Sequence, residues 1–380
     1  MIGLSASGDG EVAPNVRGAA NVDGDGVSDM RGAGIDWSVD TGDQAAWDRF
    51  AAGFADASYD QCALYMDNRW PNRTCRIRIL ENGDPIGGAI VAVLKLPVVS
   101  TGLAYVKSGP LWRPCDAPAD TGRLETVLRV LIEEFARRRG LHLIVLPRPI
   151  PEILPQEEEV LRRLGFSIER ALVDPNRYLV NCALSSDEQL KSLDQKWRYN
   201  LRKSWKNDFE IRIGSGDEDV RMFTELHGQM RARKGYGDHE PIDLIPKFAG
   251  ALPEALSSKV YLVLHRGEPV AGAIVARQGE AASYLFGATS EAALPLRAGY
   301  AMQWAILEDL RDSSHHWYDL GGEAGEPGLR QFKKGLVGRS GCVLQMPGEF
   351  EYRGSRMASL AAGLIFKARD VKRLIKERRR

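Results

Sequence analysis

A ten-residue stretch occurs twice in this chain, and no other feature constrains the fold as strongly. Gly83-Asp84-Pro85-Ile86-Gly87-Gly88-Ala89-Ile90-Val91-Ala92 aligns with Gly267-Glu268-Pro269-Val270-Ala271-Gly272-Ala273-Ile274-Val275-Ala276, with seven identities. The copies start 184 positions apart, at residues 83 and 267, which is about one domain length. Each is a turn signal followed by an apolar, β-branched run, so each predicts a hairpin entering a buried strand. The flanks repeat too. Alternating runs at 75–80 and 260–264 predict the strand before each turn, and 103–106 and 283–286 the strand after it. Amphipathic patterns at 123–139 and 296–311 predict helices, followed by strands at 141–146 and 317–320. Helices at 44–57 and 219–233 precede the two meanders. Each half therefore reads helix, three-strand meander, helix, strand, helix.

Bulk properties narrow the function classes. Lys+Arg and Asp+Glu both number 51 in the 380 residues, so no global field favours nucleic acid or membrane, and any charge argument is local. The five cysteines (62, 75, 115, 182 and 342) are scattered and form no C-x-x-C pair. That pattern supports neither a disulfide framework nor a zinc site, and fits a reducing compartment. No run approaches the ~18 apolar residues of a membrane span. The histidines show no metalloprotease spacing, and the acids suggest no metal cage. The first 33 residues are rich in Gly, Asp and Ala, lack the basic start and apolar run of a signal peptide, and read as a disordered leader. The expected division is a leader at 1–33, domains at 34–184 and 185–346, and a C-terminal amphipathic basic helix at 347–380.

Three segments carry candidate chemistry. Residues 195–206 contain no Gly or Pro and predict a helix with a basic stripe, Arg198, Arg202 and Lys206, beside an apolar stripe, Trp197, Leu201 and Trp205. A fixed cationic ridge suits phosphate groups, and a solvated helix face fits the pattern equally. Tyr105-Val106-Lys107-Ser108-Gly109-Pro110 ends the third strand of the first meander. Tyr318-Asp319-Leu320-Gly321-Gly322 predicts a strand opening into a glycine loop, with Phe332-Lys333-Lys334-Gly335 shortly after. Glycines allow close backbone approach, and the crevice beyond strand carboxyl ends is where open α/β sheets bind ligands. Lys333, expected near a helix start, could stabilise charge developing on an acyl carbonyl, with Lys334 as its rival. Asp319 reads equally as an orienting or proton-accepting group and as a turn cap or arginine partner. In the first half, Leu164-Gly165-Phe166 predicts a helix end with Gly165 as the terminating residue.

The element order of each half is similar to that of a GNAT N-acyltransferase domain. Over roughly residues 40–346 the four motifs together resemble the Fem-type peptidoglycan-bridge aminoacyltransferases. Arg198-Tyr199-Asn200-Leu201-Arg202 looks like the basic helix of that family, and the tyrosine strand ending in Gly109-Pro110, the Tyr318–Gly322 strand and the Phe332-Lys333 motif follow in matching order. The resemblance implies an α/β (α+β) fold of two tandem GNAT-like domains, each a mixed sheet flanked by helices. It implies acyl transfer to an amine, with aminoacyl-tRNA as donor and a cell-envelope (peptidoglycan) precursor as acceptor, without cofactor or metal. Lys333 and Asp319 would be catalytic; Tyr105, Lys107, Arg198, Arg202, Tyr284 and Phe332 would bind substrate.

The CoA-binding turn of GNAT domains is degenerate here. Its nearest match, Leu296-Arg297-Ala298-Gly299-Tyr300-Ala301, has Leu where Arg or Gln is usual. Two rivals remain: acylation of a polysaccharide or lipid amine from acyl-CoA or acyl carrier protein, and a catalytically dead binding scaffold. Of the last fourteen residues, 367–380, eight are basic and two acidic. Such a tail suits anionic lipid headgroups or tRNA phosphates, or is a solvated terminal helix. The expected location is the cytoplasm, at the inner face of the membrane.

Overall fold

The structure, a computed structural model, describes Met30 and residues 33–40, 42–96, 101–234, 252–313, 315–323 and 325–377. The expected leader lies outside these residues except at Met30 and Ala33, as do the last three residues of the basic tail. Two seven-stranded sheets form the body. The first is built on β1 (Ile35–Asp40), β2 (Thr74–Glu81), β3 (Asp84–Lys95), β4 (Gly102–Lys107) and β5 (His142–Leu146). The second is built on β8 (Phe209–Gly214), β9 (Ser258–His265), β10 (Glu268–Ala276), β11 (Ala281–Thr289) and β12 (Trp317–Asp319). In each set consecutive strands are neighbours. Pairing is antiparallel until the last step, where β4–β5 and β11–β12 run parallel. The edge strands β1 and β8 precede the meanders and were not evident in the sequence pattern.

The repeated decapeptide occupies the same place in both sheets, β3 and β10. Asn82 and Gly83 have φ of 52° and 94°, and Arg266 and Gly267 have 56° and 81°. Left-handed backbone at both turn positions gives the two-residue connection whose twist suits a hairpin. Proline offers no N–H to a ladder, and the register slips beside each proline, between Ile79 and Leu80 opposite Pro85 and between Pro269 and Ala271. The runs are continuously apolar because both faces are covered. Ala89 and Val91 pack with Val127 and Leu131 of α3 (Thr121–Leu131), while Ile90 and Ala92 pack with Trp47 of α1 (Gln44–Ala51) and Met66 of α2 (Ala63–Arg69). In the second sheet Ala273 and Val275 face one core and Ile274 another.

Sheet membership does not follow the chain division at 184/185. α4 (Leu154–Arg163) ends at Gly165, whose φ is +91°; its N–H bonds to Arg162 O and that of Phe166 to Leu161 O, both at 3.0 Å. The chain then adds β6 (Ser167–Ile168) to the outer edge of the first sheet and leaves the place between β5 and β6 open. The next strand, β7 (Asn176–Asn181), enters the second sheet between β12 and β13 (Cys342–Gln345). The vacant place is filled from the far end of the chain by β14 (Phe350–Tyr352), antiparallel to both β5 and β6. The halves thus exchange equivalent strands. The C-terminal segment is therefore a strand of the first sheet followed by a helix, not a helix alone.

Further helices are α5 (Ser186–Ser192), α6 (Gln195–Ser204), α7 (Asp217–Lys234), α8 (Ala298–Arg311), α9 (Pro327–Val337) and α10 (Arg356–Glu377). A buried polar seam joins the halves. Arg148 donates to the carbonyls of Ala57, Gln278 and Ala281, and Arg113 forms a two-point pair with Glu280. Gly279, at φ +61°, lies against Ala55, where a Cβ would come within 2.2 Å of the carbonyl oxygen. Asp56 accepts the N–H groups of Trp112 and Arg113 at 2.9 and 3.1 Å. Glu157 accepts the Trp112 indole at 2.7 Å, and its other oxygen is buried without a partner among the described residues. Burial pushes the Glu157 carboxyl up to about 8, against the Trp112 bond.

That shift sets a pH dependence. An acid whose folded pKa exceeds its unfolded value adds stability that is complete below the unfolded pKa and lost as pH rises through the folded one. For Glu157 the window runs from its ordinary pKa of about 4.3 to about 8. Glu157→Gln keeps an acceptor for Trp112 and removes the charge. Calorimetry should show the unmodified protein losing Tm across that window and the variant losing less, ending with the higher Tm at the alkaline limit. Parallel pH profiles would mean that Glu157 is ionised in the folded protein.

Candidate active site

The second sheet ends in a loop held at three points. β12 is three residues long, and the chain leaves it through Leu320, Gly321 and Gly322. Gly321 has φ +76°, a backbone conformation that favours glycine, and Gly322 lies close against the Asp174 carboxylate. Pro327, pre-set for helical φ, opens α9. From the buried side of α9, Lys333 donates to Leu320 O at 2.5 Å and to Gly322 O. Asp319 Oδ1 accepts the Gly321 N–H at 2.8 Å. Glu323 accepts from Tyr178 and from Arg330.

Lys333 lies well inside α9 rather than near its start, so the helix N-terminus does not act on it and the side chain itself reaches the loop. Its direction is set by its neighbours. Phe332 packs on Trp197 of α6 and Tyr300 of α8, with ring centroids 5.8 and 5.1 Å away. Gly335 lets the helix press against the same Trp197. Lys333 is buried, whereas Lys334 is exposed, which separates the two rivals. An ammonium has three donors. Two are taken by the carbonyls. Burial lowers the Lys333 pKa to about 8, with Asp319 opposing the fall and Arg177 adding to it.

Asp319 is also buried, and Arg177 of β7 pairs with its Oδ2, with Nε at 3.2 Å. Burial pulls the Arg177 pKa down, but Asp319 outweighs it and holds the guanidinium above its usual range. Sequence reasoning missed Arg177 because it belongs to the exchanged strand. It also missed Tyr59 and Asp60, which lie in a short 3-10 turn with no periodic signal. Burial pushes the Tyr59 hydroxyl up; Asp60 and Asp319 add to the rise, and Arg177 and Arg148 oppose it. Lys107 stands 6.0 Å from the Tyr59 ring centroid and pairs with Asp60 at 3.1 Å. The structure therefore brings Lys107, Tyr59 and Asp60 of the first sheet's side to the boundary with Arg177, Asp319 and Lys333.

The other candidates fall elsewhere. Tyr105 bonds to Glu349 at 3.0 Å, on the segment leading into β14. Tyr284 packs against Tyr318, ring centroids 6.5 Å apart. Side chains alternate along a strand, so Asp319 points from the opposite face and is not brought to Tyr284. Arg198 donates to the carbonyls of Leu190 and Lys191, at 3.3 and 3.4 Å, closing the end of α5. Arg202 is exposed on α6. The ridge expected from their spacing is thus divided: one arginine faces the protein and one faces solvent. Among the described residues no group of three His, Cys, Asp or Glu side chains could hold a metal ion.

Residues 191–334 match a family model described as an acetyltransferase (GNAT) domain. No curated protein matches the chain in sequence. Among solved structures, FemX is similar with a TM-score of 0.67 at 16% identity, covering 83% of this chain and 97% of that one. A conserved protein of unknown function from Bacteroides thetaiotaomicron gives 0.56 at 13% identity, over 83% and 99% of the two chains. The C-terminal domain of a protein from Agrobacterium fabrum, described as a lysylphosphatidylglycerol synthetase, gives 0.53 at 15%, over 83% and 95%. The chain has the tandem GNAT fold of the Fem type. In this GNAT pair the loop held by Lys333 belongs to the second half, and its strut, Arg177–Asp319, depends on the exchanged strand β7.

Removing Arg177 leaves Asp319 buried and unpaired. Arg177→Ala should destabilise the protein by about 3 kcal/mol in urea unfolding. Arg202→Ala, on the exposed face of α6, should stay within about 0.5 kcal/mol. Similar small effects for both would mean that the Arg177–Asp319 pair does not support the loop.

Proposed function

We propose that this chain is an N-acyltransferase that moves an aminoacyl group from aminoacyl-tRNA to an amine of a cell-envelope precursor, at the boundary between its halves. The observation that carries the reading is the buried ammonium of Lys333, fixed by two loop carbonyls at the carboxyl end of β12. In the reaction an acceptor amine attacks the ester carbonyl of the donor, a tetrahedral oxyanion forms, and the ribose oxygen leaves with a proton. The third N–H of Lys333 is the donor for that oxyanion. A charge fixed beforehand in a desolvated place stabilises a developing anion far more than the same charge in water. Asp319 has both oxygens engaged, so it acts as a positioning residue that sets the Gly321 turn, not as the base. Lys107 and Tyr59 line the acceptor side. The similarity to FemX and the motif resemblance support the aminoacyl reading; a tRNA donor fits the cytoplasm, and a cell-envelope acceptor fits the inner face of the membrane.

One observation favours acyl-CoA as donor instead. Arg297 opens α8 at φ +60° with no side-chain cap, leaving that helix end free for an anion. Beside it, a hydrogen bond from Lys203 and its charge, with those of Arg297 and Lys206, lower the Tyr199 pKa. Label transfer from aminoacyl-tRNA and acyl-CoA, assayed side by side with one set of amine acceptors, separates the two donors.

Lys333→Met should lower kcat about 100-fold to 1,000-fold, because the interaction is made mainly in the transition state. It also leaves two carbonyls unpaired, so Tm must be measured alongside and the assay run well below it. Lys334→Met should change neither. Activity that needs the ammonium should fall as pH rises through about 8, and this alkaline limb should be missing in Lys333→Met. A normal kcat for folded Lys333→Met would leave Lys333 as a loop staple only.

A further inference from the structure

α10 has two unlike faces. One packs on the first sheet through Ala358, Ala361, Ala362 and Phe366, with the Arg170 guanidinium 3.7 Å from the Phe366 ring centroid. The other presents Met357, Leu360 and Leu364, which are 63%, 71% and 58% exposed. These three follow helical spacing, and Ala368, Val371 and Ile375 continue it in the sequence. An isolated exposed leucine is ordinary; three large apolar side chains in one line on a docked helix are not. Their charge context is one-sided. Residues 356–377 hold six basic and two acidic side chains, in a chain whose total charge is balanced.

We propose that the Met357–Leu360–Leu364 face of α10 is a docking surface for an anionic lipid bilayer. An apolar stripe on a helix whose sequence is rich in Lys and Arg matches an interface where acyl chains lie just beneath negative headgroups. Neither feature holds a protein at a membrane firmly alone; together they supply the two signals that stable anchoring takes. A second copy of this chain would set like charges against each other along the same stripe. An RNA would answer the charge but leave the leucines without a partner. No helix among the described residues is long and apolar enough to cross a membrane, so the contact lies in the plane of the surface. The helix is fixed to the first sheet directly after β14, so docking orients that half of the protein towards the bilayer.

The test is co-sedimentation of the full chain with vesicles of phosphatidylcholine alone, or with part of it replaced by phosphatidylglycerol. It needs neither donor nor acceptor, so its result is independent of the proposed reaction. The chain should pellet with the anionic vesicles, less so at high salt, and stay in solution with the neutral ones. Leu360→Gln with Leu364→Gln, both exposed and so expected to leave Tm unchanged, should weaken pelleting about tenfold. Binding unaffected by the double variant, or no preference for anionic vesicles, would overturn the proposal. So would a dimer that the same double variant dissolves, or tighter binding to an RNA homopolymer than to the vesicles.

Discussion

The exchange of β7 and β14 is the constraint on which the rest of this structure depends. Each sheet has one internal place filled by a strand from beyond its own half, and the strand supplies hydrogen bonds on both sides. A buried sheet cannot leave those backbone groups unpaired, so neither half completes its ladder without the other. The polar seam of Arg148, Arg113 and Glu280 then adds a rigid contact between the halves. Its carbonyl-bound arginine and two-point ion pair are directional, which fixes how the sheets meet.

The candidate site inherits its geometry from that exchange. Arg177 arrives on β7 and pins Asp319; Asp319 sets the Gly321 turn; Lys333 closes the loop from α9. Each link satisfies a buried polar group that would otherwise be orphaned, so the loop is held more firmly than its glycines alone would allow. The same links explain why a lysine in a buried place keeps a pKa near 8 rather than losing its charge altogether: Asp319 offsets part of the desolvation.

Electrostatics of opposite kinds serve different parts of the molecule. At the seam, Glu157 is buried against Trp112 and is pushed towards the neutral acid. At the loop, Asp319 pairs with Arg177 and holds that guanidinium above its usual range. On α10 the basic residues are spread along one terminal helix, and their sequence gives a local excess of positive charge on a chain with no net charge.

The sequence by itself determined the duplication, the paired hairpins and the fold class, because those depend on local chemistry: a two-residue turn with left-handed backbone, a run apolar on both faces, a helix ended by Gly165. It also determined Lys333 as a candidate through the Phe332-Lys333 motif and its family resemblance. It did not disclose β6, β7, β13 or β14, which get their partners from distant segments. Nor did it disclose that Arg198 turns inward to α5 while Arg202 faces solvent, since both fit the same helical stripe. Tertiary structure alone decided that Lys333 is buried and Lys334 exposed, and that Arg177 and Tyr59 stand beside Asp319. Such choices depend on which side chains come within hydrogen-bonding distance after the halves exchange strands, and no local pattern encodes a contact between residues 142 positions apart.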